Sequence, residues 1–570
     1  MKYRWLLPDA ALRAPAAALA AALGVSPLMA QCLVNRGMSG PDEAARFLRP
    51  RLKDLTDPML LPNMAAAVQR LLLARRRAER LVIFGDYDAD GVTSCALLLE
   101  TLRALGWTVN YYLPHRMDEG YGLSREAAEH CLRKHPAPLL LAVDCGSTAV
   151  DSIAWLGKQG TEVIVLDHHQ VSAPPPAALA LVNPRLSNPP GPEYCSAGLA
   201  FKLAHALLKQ LREAGEPAAM KYDLRQHLDL AALGTIADLV PLKGENRILA
   251  SAGLERLTQT QRPGLVALKL AAKCPPAIGS YEAAFQLAPR LNAAGRLEDA
   301  EEALRLLLAG DAAEAEPLAR NLDGHNRQRQ QIERDIAEEV IAAVQARFNR
   351  ERDFVIVEGR DSWHIGVVGI VASRVVKRFY RPAIILGGDG GLWRGSGRSI
   401  EGFDLAAALC GCDGLLTRHG GHSMAAGVTA QPAQVDSFRA RLNELARQAL
   451  KPEQLEPSIK LDGEVTGSDL TADKVEQLAA LAPSGQGNPP VQWMIRGVTL
   501  RQPPQRMGRE SQHVRLHLTD GQADMEAVWW NGGQAAMPDG RFDLAFTPDI
   551  NDYRGRRTVQ LRLLDWRPCV

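Results

Sequence analysis

Leu81-Val82-Ile83-Phe84-Gly85-Asp86-Tyr87-Asp88-Ala89-Asp90-Gly91 joins an apolar run of strand length to an acidic turn. A helical pattern follows, with Leu97, Leu98, Leu102 and Leu105 on its apolar side and Thr93 or Ser94 as its expected cap. The same order recurs twice. Leu139 to Val143 leads into Asp144-Cys145-Gly146, and Val163 to Leu166 leads into Asp167-His168-His169. Strands alternating with helices argue for a parallel sheet. In such sheets ligands bind beyond the carboxyl ends of the strands. If these three strands are neighbours, one edge collects several carboxylates and two imidazoles. Carboxylates so crowded repel one another unless a cation neutralises them. Imidazole with carboxylate suits manganese, zinc or iron, whereas carboxylate alone suits magnesium. Such a site can hold two divalent ions about 4 Å apart that share a carboxylate and clamp the attacking and leaving oxygens of phosphoester hydrolysis. The Asp-x-Asp-x-Asp-Gly run also opens like a calcium loop. That loop needs Glu at its twelfth position, and counting from Asp86 puts Leu97 there.

The rest of the chain sets limits on the reading. A length of 570 residues implies about four domains. Apolar residues at 46% and charged residues at 23% exclude global disorder. The net charge of +1 means that a polyanion partner must meet a local basic groove, not a basic protein. Nine Cys without a Cys-x-x-Cys pair argue for a reducing compartment and no structural zinc. Pro8, Asp9, Arg13 and Pro15 interrupt any signal-peptide core, so an amphipathic helix after Pro15 is expected. No run of 18 apolar residues exists, and a cytoplasmic protein with no membrane association is the expectation. Residues 1–78 read as helical and Arg-rich, and 246–350 as helical again. Ile332, Ile336, Val340, Val344 and Phe348 form the apolar stripe of a long connecting helix, with breaks expected at Pro317 and Gly324. A second α/β unit opens at Phe354-Val355-Ile356-Val357. Near the end, Val514-Leu516-Leu518 and Val559-Leu561-Leu563 alternate with polar residues, as in a small antiparallel barrel or sandwich.

The acidic motifs resemble the DHH phosphoesterase superfamily. Gly85 to Gly91, Asp144 and Asp167-His168-His169 carry the resemblance. A fourth motif matches in Gly234-Thr235-Ile236-Ala237-Asp238-Leu239-Val240-Pro241. Gly420-Gly421-His422-Ser423-Met424-Ala425-Ala426-Gly427 resembles the associated substrate-binding domain, DHHA1. Motif order, length and an extra terminal domain resemble the RecJ branch, bacterial single-strand-specific 5′→3′ exonucleases. The resemblance implies an α/β multidomain fold. A parallel-sheet DHH catalytic domain would occupy 79–245, a helical linker with the long helix 246–350, a DHHA1-like α/β domain 351–450, and an OB-fold-like β-barrel 455–570.

It also implies roles. Asp88, Asp90, Asp144, His168 and Asp238 would ligate two Mn2+ or Mg2+ ions, with Asp144 as the bridge. Asp86 belongs to the same catalytic cluster, and His169 would stabilise charge on the scissile phosphate. Water activated by the metals would attack, releasing 5′-mononucleotides. Arg116, Arg290, Ser373, Arg374 and Arg398 would hold the 5′ end and backbone of single-stranded DNA, with Gly421 and His422 closing beside the metals. A narrow cleft between the two α/β domains would admit one strand and exclude a duplex. Arg forks and exposed backbone amides suit phosphate oxygens. In the terminal domain Trp529, Tyr553 and Arg556 would stack on bases and grip backbone. Alternation places Trp529 and Trp530 on opposite faces, so one of them packs the core. The family role implies DNA repair and recombination, with a helicase and a single-strand-binding protein as partners, and a monomer is expected.

Two positions depart from the family pattern. Phe84 stands where many members place a metal-binding His, so Asp86 or water must complete that shell. Ser484, in Pro483-Ser484-Gly485-Gln486-Gly487-Asn488-Pro489, replaces the usual Phe. Two rival functions remain open to the sequence. One is a small-substrate phosphoesterase acting on short oligonucleotides, cyclic dinucleotides or pyrophosphate. The other is a non-catalytic nucleic-acid scaffold. The extra terminal domain argues against the first, and the retained acids argue against the second.

Overall fold

In the computed structural model, which describes residues 3–115, 119, 122–188, 191–297, 299–388, 391–553 and 555–569, the opening motif begins as strand β1 (Arg80–Gly85). With β2 (Thr108–Tyr112), β3 (Leu139–Val143), β4 (Glu162–Leu166) and β5 (Ala180–Val182) it forms a fully parallel sheet in the order β2-β1-β3-β4-β5. Leu81 and Ile83 enter one apolar core, Val82 and Phe84 another. Both faces of the sheet are therefore covered, which is why these strands read as unbroken apolar runs.

Helix α1 (Ala89–Ala104) starts earlier than the sequence suggested. Its cap is Asp88, whose carboxylate accepts from the N–H groups of Asp90 and Gly91. Thr93 and Ser94 lie inside the helix and donate back to the carbonyls of Ala89 and Asp90. An Asp three residues past the strand end caps as well as Ser or Thr and keeps the turn short. Helices α2 (Ser196–Glu213) and α3 (Leu228–Ala237) pack on α1. A π-turn, Ala283–Leu287, runs straight into α4 (Ala288–Leu297). Helix α5 (Ala312–Gln345) is continuous, contrary to the expected breaks. Pro317 falls near its start and removes one hydrogen bond. Gly324 costs about 1 kcal/mol relative to Ala, which the buried stripe of Ile336, Val340 and Val344 offsets.

The chain divides into two compact units. One joins Leu7–Asp323 to Leu461–Val570, and the other joins the chain start through Leu6 to Gly324–Lys460. In the first unit, the strands Trp493–Leu500, Phe542–Tyr553, Arg556–Pro568, Asp524–Trp529 and His513–Thr519 pair in that order, and the last returns to the first. The result is a closed five-stranded barrel. The N-terminal helices are part of its core: Leu19, Met29, Leu33 and Phe47 pack in one cluster with Leu478, Trp493 and Phe542. The first of them spans Arg13–Leu23 and so begins before Pro15, which its first turn tolerates. Residues 4–6 are not helical; they form a strand parallel to Ser458–Lys460 in the second unit.

That second unit is built on β6 (Ile356–Arg360), β7 (Ala383–Gly387), β8 (Trp393–Arg398), β9 (Arg418–Gly421) and β10 (Ala425–Ala430), in the order β9-β10-β8-β7-β6. Only β6 and β7 are parallel, linked across helix α6 (Val368–Phe379). The α/β multidomain class expected from the sequence is the one found. Among the described residues no helix is long and apolar enough to cross a membrane.

Candidate active site

The parallel register gathers the acidic residues. Strands β1, β3 and β4 are adjacent, so Asp86, Asp144 and Asp167 follow three neighbouring strand ends. Asp88 and Asp90 sit at the start of α1, and Asp238 ends α3. Ligand atoms of Asp86, Asp88 and Asp144 lie within 4.8 Å of one another, as do those of Asp90, His168 and Asp238. A third group joins Asp144 and His168 to Asp167 and His169. His168 Nε2 is buried without a hydrogen bond, 3.4 Å from Asp144 Oδ1, 3.5 Å from Asp238 Oδ2 and 3.9 Å from Asp90 Oδ2. Phe84 is fully buried and stacks on Tyr112, ring centroids 5.6 Å apart. It is core, and no donor replaces it at its own position.

Electrostatics show what this arrangement is built to hold. Burial, then the charge of Asp88, raises the Asp90 carboxyl to about 6, although the N–H groups of Ser196 and Ala197 donate to it. Burial and Asp90 lift Asp144 well above the carboxylate range and Asp238 to about 8. Burial and the charge of His169 push His168 down to about 4, leaving a neutral imidazole with an available lone pair. His169 goes the other way. Burial would lower it, but Asp167, 2.8 Å from its Nδ1, holds it at about 9. Asp167 lies below the ordinary carboxylate range, because His169 and the backbone N–H groups of Ser147, His168 and His169 outweigh its burial. Buried acids with raised pKa values around an orphaned imidazole nitrogen match a mixed oxygen and nitrogen donor set for divalent cations. One imidazolium stands beside them.

Several supporting residues complete the site, Asp167 of the third acidic motif among them. Asp167 positions His169. Ser196 Oγ donates to Asp144 Oδ1 at 2.9 Å, and the first N–H groups of α2 hold Asp90. Asn292 Oδ1 accepts from Ala89 N at 2.7 Å, and Asn183 Nδ2 donates to the His169 carbonyl at 2.9 Å. Arg185 Nε donates to the His168 carbonyl at 2.8 Å. Apart from Asp167, none of these residues belongs to the acidic motifs, and the helix start at Cys195-Ser196 after a Pro-rich loop is the sequence feature that marks part of this shell.

The expected phosphate groups are dispersed. Arg290 lies in the first unit, its guanidinium held by buried Asp323 at 2.9 Å. Ser373, Arg374, Arg398, Gly421 and His422 all belong to the second unit. Arg374 is paired with Glu333 at 2.5 Å, and Ser373 Oγ donates to the Gly369 carbonyl within α6. Arg398 differs. It donates to Ser396 Oγ and the Gly397 carbonyl, both at 2.8 Å, and has no carboxylate partner among the described residues. Burial alone lowers its pKa. A half-buried guanidinium with no carboxylate partner among the described residues suits an anion, and Ser396 is a neighbour the sequence reading missed. Gly421 has φ of 144°, and a Cβ there would meet the Ala425 carbonyl at 2.5 Å; no other residue fits this hairpin. His422 N donates to the same carbonyl. Arg116 and the side chains of Tyr553 and Arg556 lie outside the described residues. The barrel places its two adjacent Trp residues differently. Trp529 packs against the core, whereas Trp530 is 53% exposed with its ring edge on His513. The segment around Ser484 is held by Arg247, which donates to the carbonyls of Leu481 and Ala482, and by Asn488; nothing in the structure explains Ser at that position.

Known families match three stretches of the chain. The DHH family N-terminal domain matches residues 80–235, the DHHA1 domain 352–448, and the RecJ OB domain 461–565. The single-stranded-DNA-specific exonuclease RecJ of Bacillus subtilis is 37% identical over 95% of this chain and 68% of its own length. That of Dickeya dadantii is also 37% identical, over 94% of this chain and 95% of its own. The crystal structure of RecJ from Thermus thermophilus in complex with Mn2+ superposes with a TM-score of 0.85 at 32% identity, covering 100% of this chain and 80% of that one. A structure of the same protein holds Mg2+.

Proposed function

The chain belongs to the RecJ family, and from that premise we propose that it is a metal-dependent, single-strand-specific 5′→3′ exodeoxyribonuclease releasing 5′-mononucleotides. The observation that carries the reading is the convergence of Asp86, Asp88 and Asp144 beside Asp90, His168 and Asp238. Two divalent ions, Mn2+ or Mg2+, would be held by these six residues, with Asp144 between the two groups. Such ions supply Lewis acidity and lower the pKa of water. Everything else falls to the protein. Ser196 and the start of α2 fix Asp144 and Asp90 so that the donors do not rearrange when substrate arrives. Asp167 holds a proton on His169 Nδ1 and keeps the ring cationic, so that its second N–H donates to the scissile phosphate as charge builds there. Arg398 and Ser396 offer a phosphate subsite that the described residues leave without a counter-charge. Action in the cytoplasm, on strands delivered by a helicase or coated by a single-strand-binding protein, belongs to this reading.

The test uses oligonucleotides labelled at one end or the other, a blunt duplex, Mn2+ and a chelator. Release of labelled mononucleotide from the 5′ end, stepwise shortening of the 3′-labelled strand, and a spared duplex are expected. Hydrolysis of dinucleotides alone would replace this reading with a small-substrate phosphoesterase.

A further inference from the structure

The segment leading into α4 exposes two aromatic rings, one just before the π-turn and one within it. Tyr281 and Phe285 are 62% and 66% exposed, on successive turns, with ring centroids 5.2 Å apart and planes tilted by 36°. Single exposed apolar residues are ordinary, but paired aromatic rings in water are not. The local backbone accounts for their placement. The extra residue of a π-turn is a costly irregularity that recurs at functional sites. Here Ala283 and Leu287 stay buried in the core while the two rings remain outside.

The position of this pair relative to the chemistry follows from the helix. The π-turn continues without a break into α4, and α4 is the wall of the acidic loop. Asn292 accepts from Ala89 N at 2.7 Å, and a Cβ on Gly295 would stand 2.8 Å from the Tyr87 carbonyl. Phe285 precedes Asn292 by seven residues, so at 1.5 Å per residue the rings begin about 10 Å along the same helix from the loop carrying Asp88 and Asp90. This is one rigid element, with an aromatic face at one end and the acidic centre at the other.

We infer that Tyr281 and Phe285 form a stacking platform for nucleotide bases of the single strand, a few nucleotides from the scissile bond. The inference rests on the exonuclease reading and adds to it a substrate contact outside the metal centre and the barrel. Stacking binds any base, because every base has a π-face, so the platform would favour strand over duplex without reading sequence.

The test replaces each ring with Leu, and both together, which keeps apolar area but removes the π-face. A third variant, Phe285→Trp, provides a fluorophore. On a long oligonucleotide KM should rise about tenfold per ring, while hydrolysis of a dinucleotide keeps its wild-type rate. Oligo(dT) should quench the fluorescence added by Phe285→Trp, measured as the difference from wild type. Unchanged KM in the double Leu variant, or no quenching at saturating oligo(dT), would overturn the inference. Wild type that cleaves no single strand at all would instead defeat the functional reading, and the two failures are thus separable.

Discussion

Gly234, the first residue of the fourth acidic motif, sits in the interior of α3, where Ala is normally the better residue by about 1 kcal/mol. Helix propensity alone therefore predicts that Gly234→Ala stabilises the protein. Packing predicts the opposite. A Cβ at this position would lie 2.5 Å from Ala197 Cβ, 2.6 Å from Thr93 Oγ1 and 2.8 Å from Asp90 Oδ1. None of the three can easily withdraw. Thr93 Oγ1 donates to the Ala89 carbonyl at 2.7 Å, Asp90 Oδ1 accepts from Ala197 N at 2.8 Å, and Ala197 Cβ moves only with the start of α2. Overpacking of this kind costs about 1–3 kcal/mol, so the net change after the propensity gain is a loss of up to about 2 kcal/mol. The strain falls on Asp90 itself, and Mn2+ affinity should drop about tenfold. Urea unfolding in chelator measures the first quantity and calorimetric Mn2+ titration the second. Adding Ala197→Gly removes the nearest contact and should restore part of both, a coupling that independent sites would not show. A Gly234→Ala protein as stable as wild type, with unchanged Mn2+ binding, would refute the claim that this glycine exists to let α3 approach Asp90.

Other expectations follow from the same geometry. Asp86→Ala should weaken Mn2+ binding more than it alters the urea midpoint, because Asp86 stands with Asp88 and Asp144 where Phe84 offers no ligand; unchanged calorimetric affinity would remove Asp86 from the shell. Arg398→Gln should reduce the slope of log affinity against log salt by about 0.7 for single-stranded DNA, as expected for the loss of one phosphate contact; an unchanged slope would make Arg398 structural. His227 gives a pH test remote from the metals. Burial and the Arg262 guanidinium push it down to about 3, although Glu100 lies 3.3 Å from its Nδ1. The unfolded chain therefore binds the proton between about pH 3 and pH 6.5 while the folded one does not, and stability falls as pH drops through that window. Between pH 7.5 and pH 5 the loss is about 2 kcal/mol, read as a urea-midpoint shift that His227→Gln should largely abolish.

How much of this was legible in the sequence depends on where each contribution lies along the chain. The sheet was legible because β1, β3 and β4 are buried on both faces and so appear as unbroken apolar runs, each stopped by an acidic residue. Asp86, Asp144 and Asp167 were legible for the same reason, since a side chain at a strand end keeps its place in the text, whereas Asp238, at the end of α3, was reached through the family resemblance alone. What escaped acts through the backbone or across long separations. Asp88 was read as a donor alone, yet it also caps α1, because one carboxylate can serve as both and sequence offers no way to see two uses of one residue. The N–H groups of Ser196 and Ala197 that hold Asp90 have no side-chain signature, and they arrive 106 and 107 residues later. The N-terminal helices could not be assigned to the barrel core, because an apolar stripe records that it is buried and not against what. Trp529 and Trp530 show the limit most sharply. Alternation required one inside and one outside, and only the pairing of Trp529 with Val514 fixed which. Arg290, Arg374 and Arg398 all read as phosphate ligands. The fold separates them by what each already holds: Asp323 answers the first, Glu333 the second, and no carboxylate among the described residues answers the third. An anion site is thus better diagnosed by a missing counter-charge than by the presence of arginine, and that difference exists only in three dimensions.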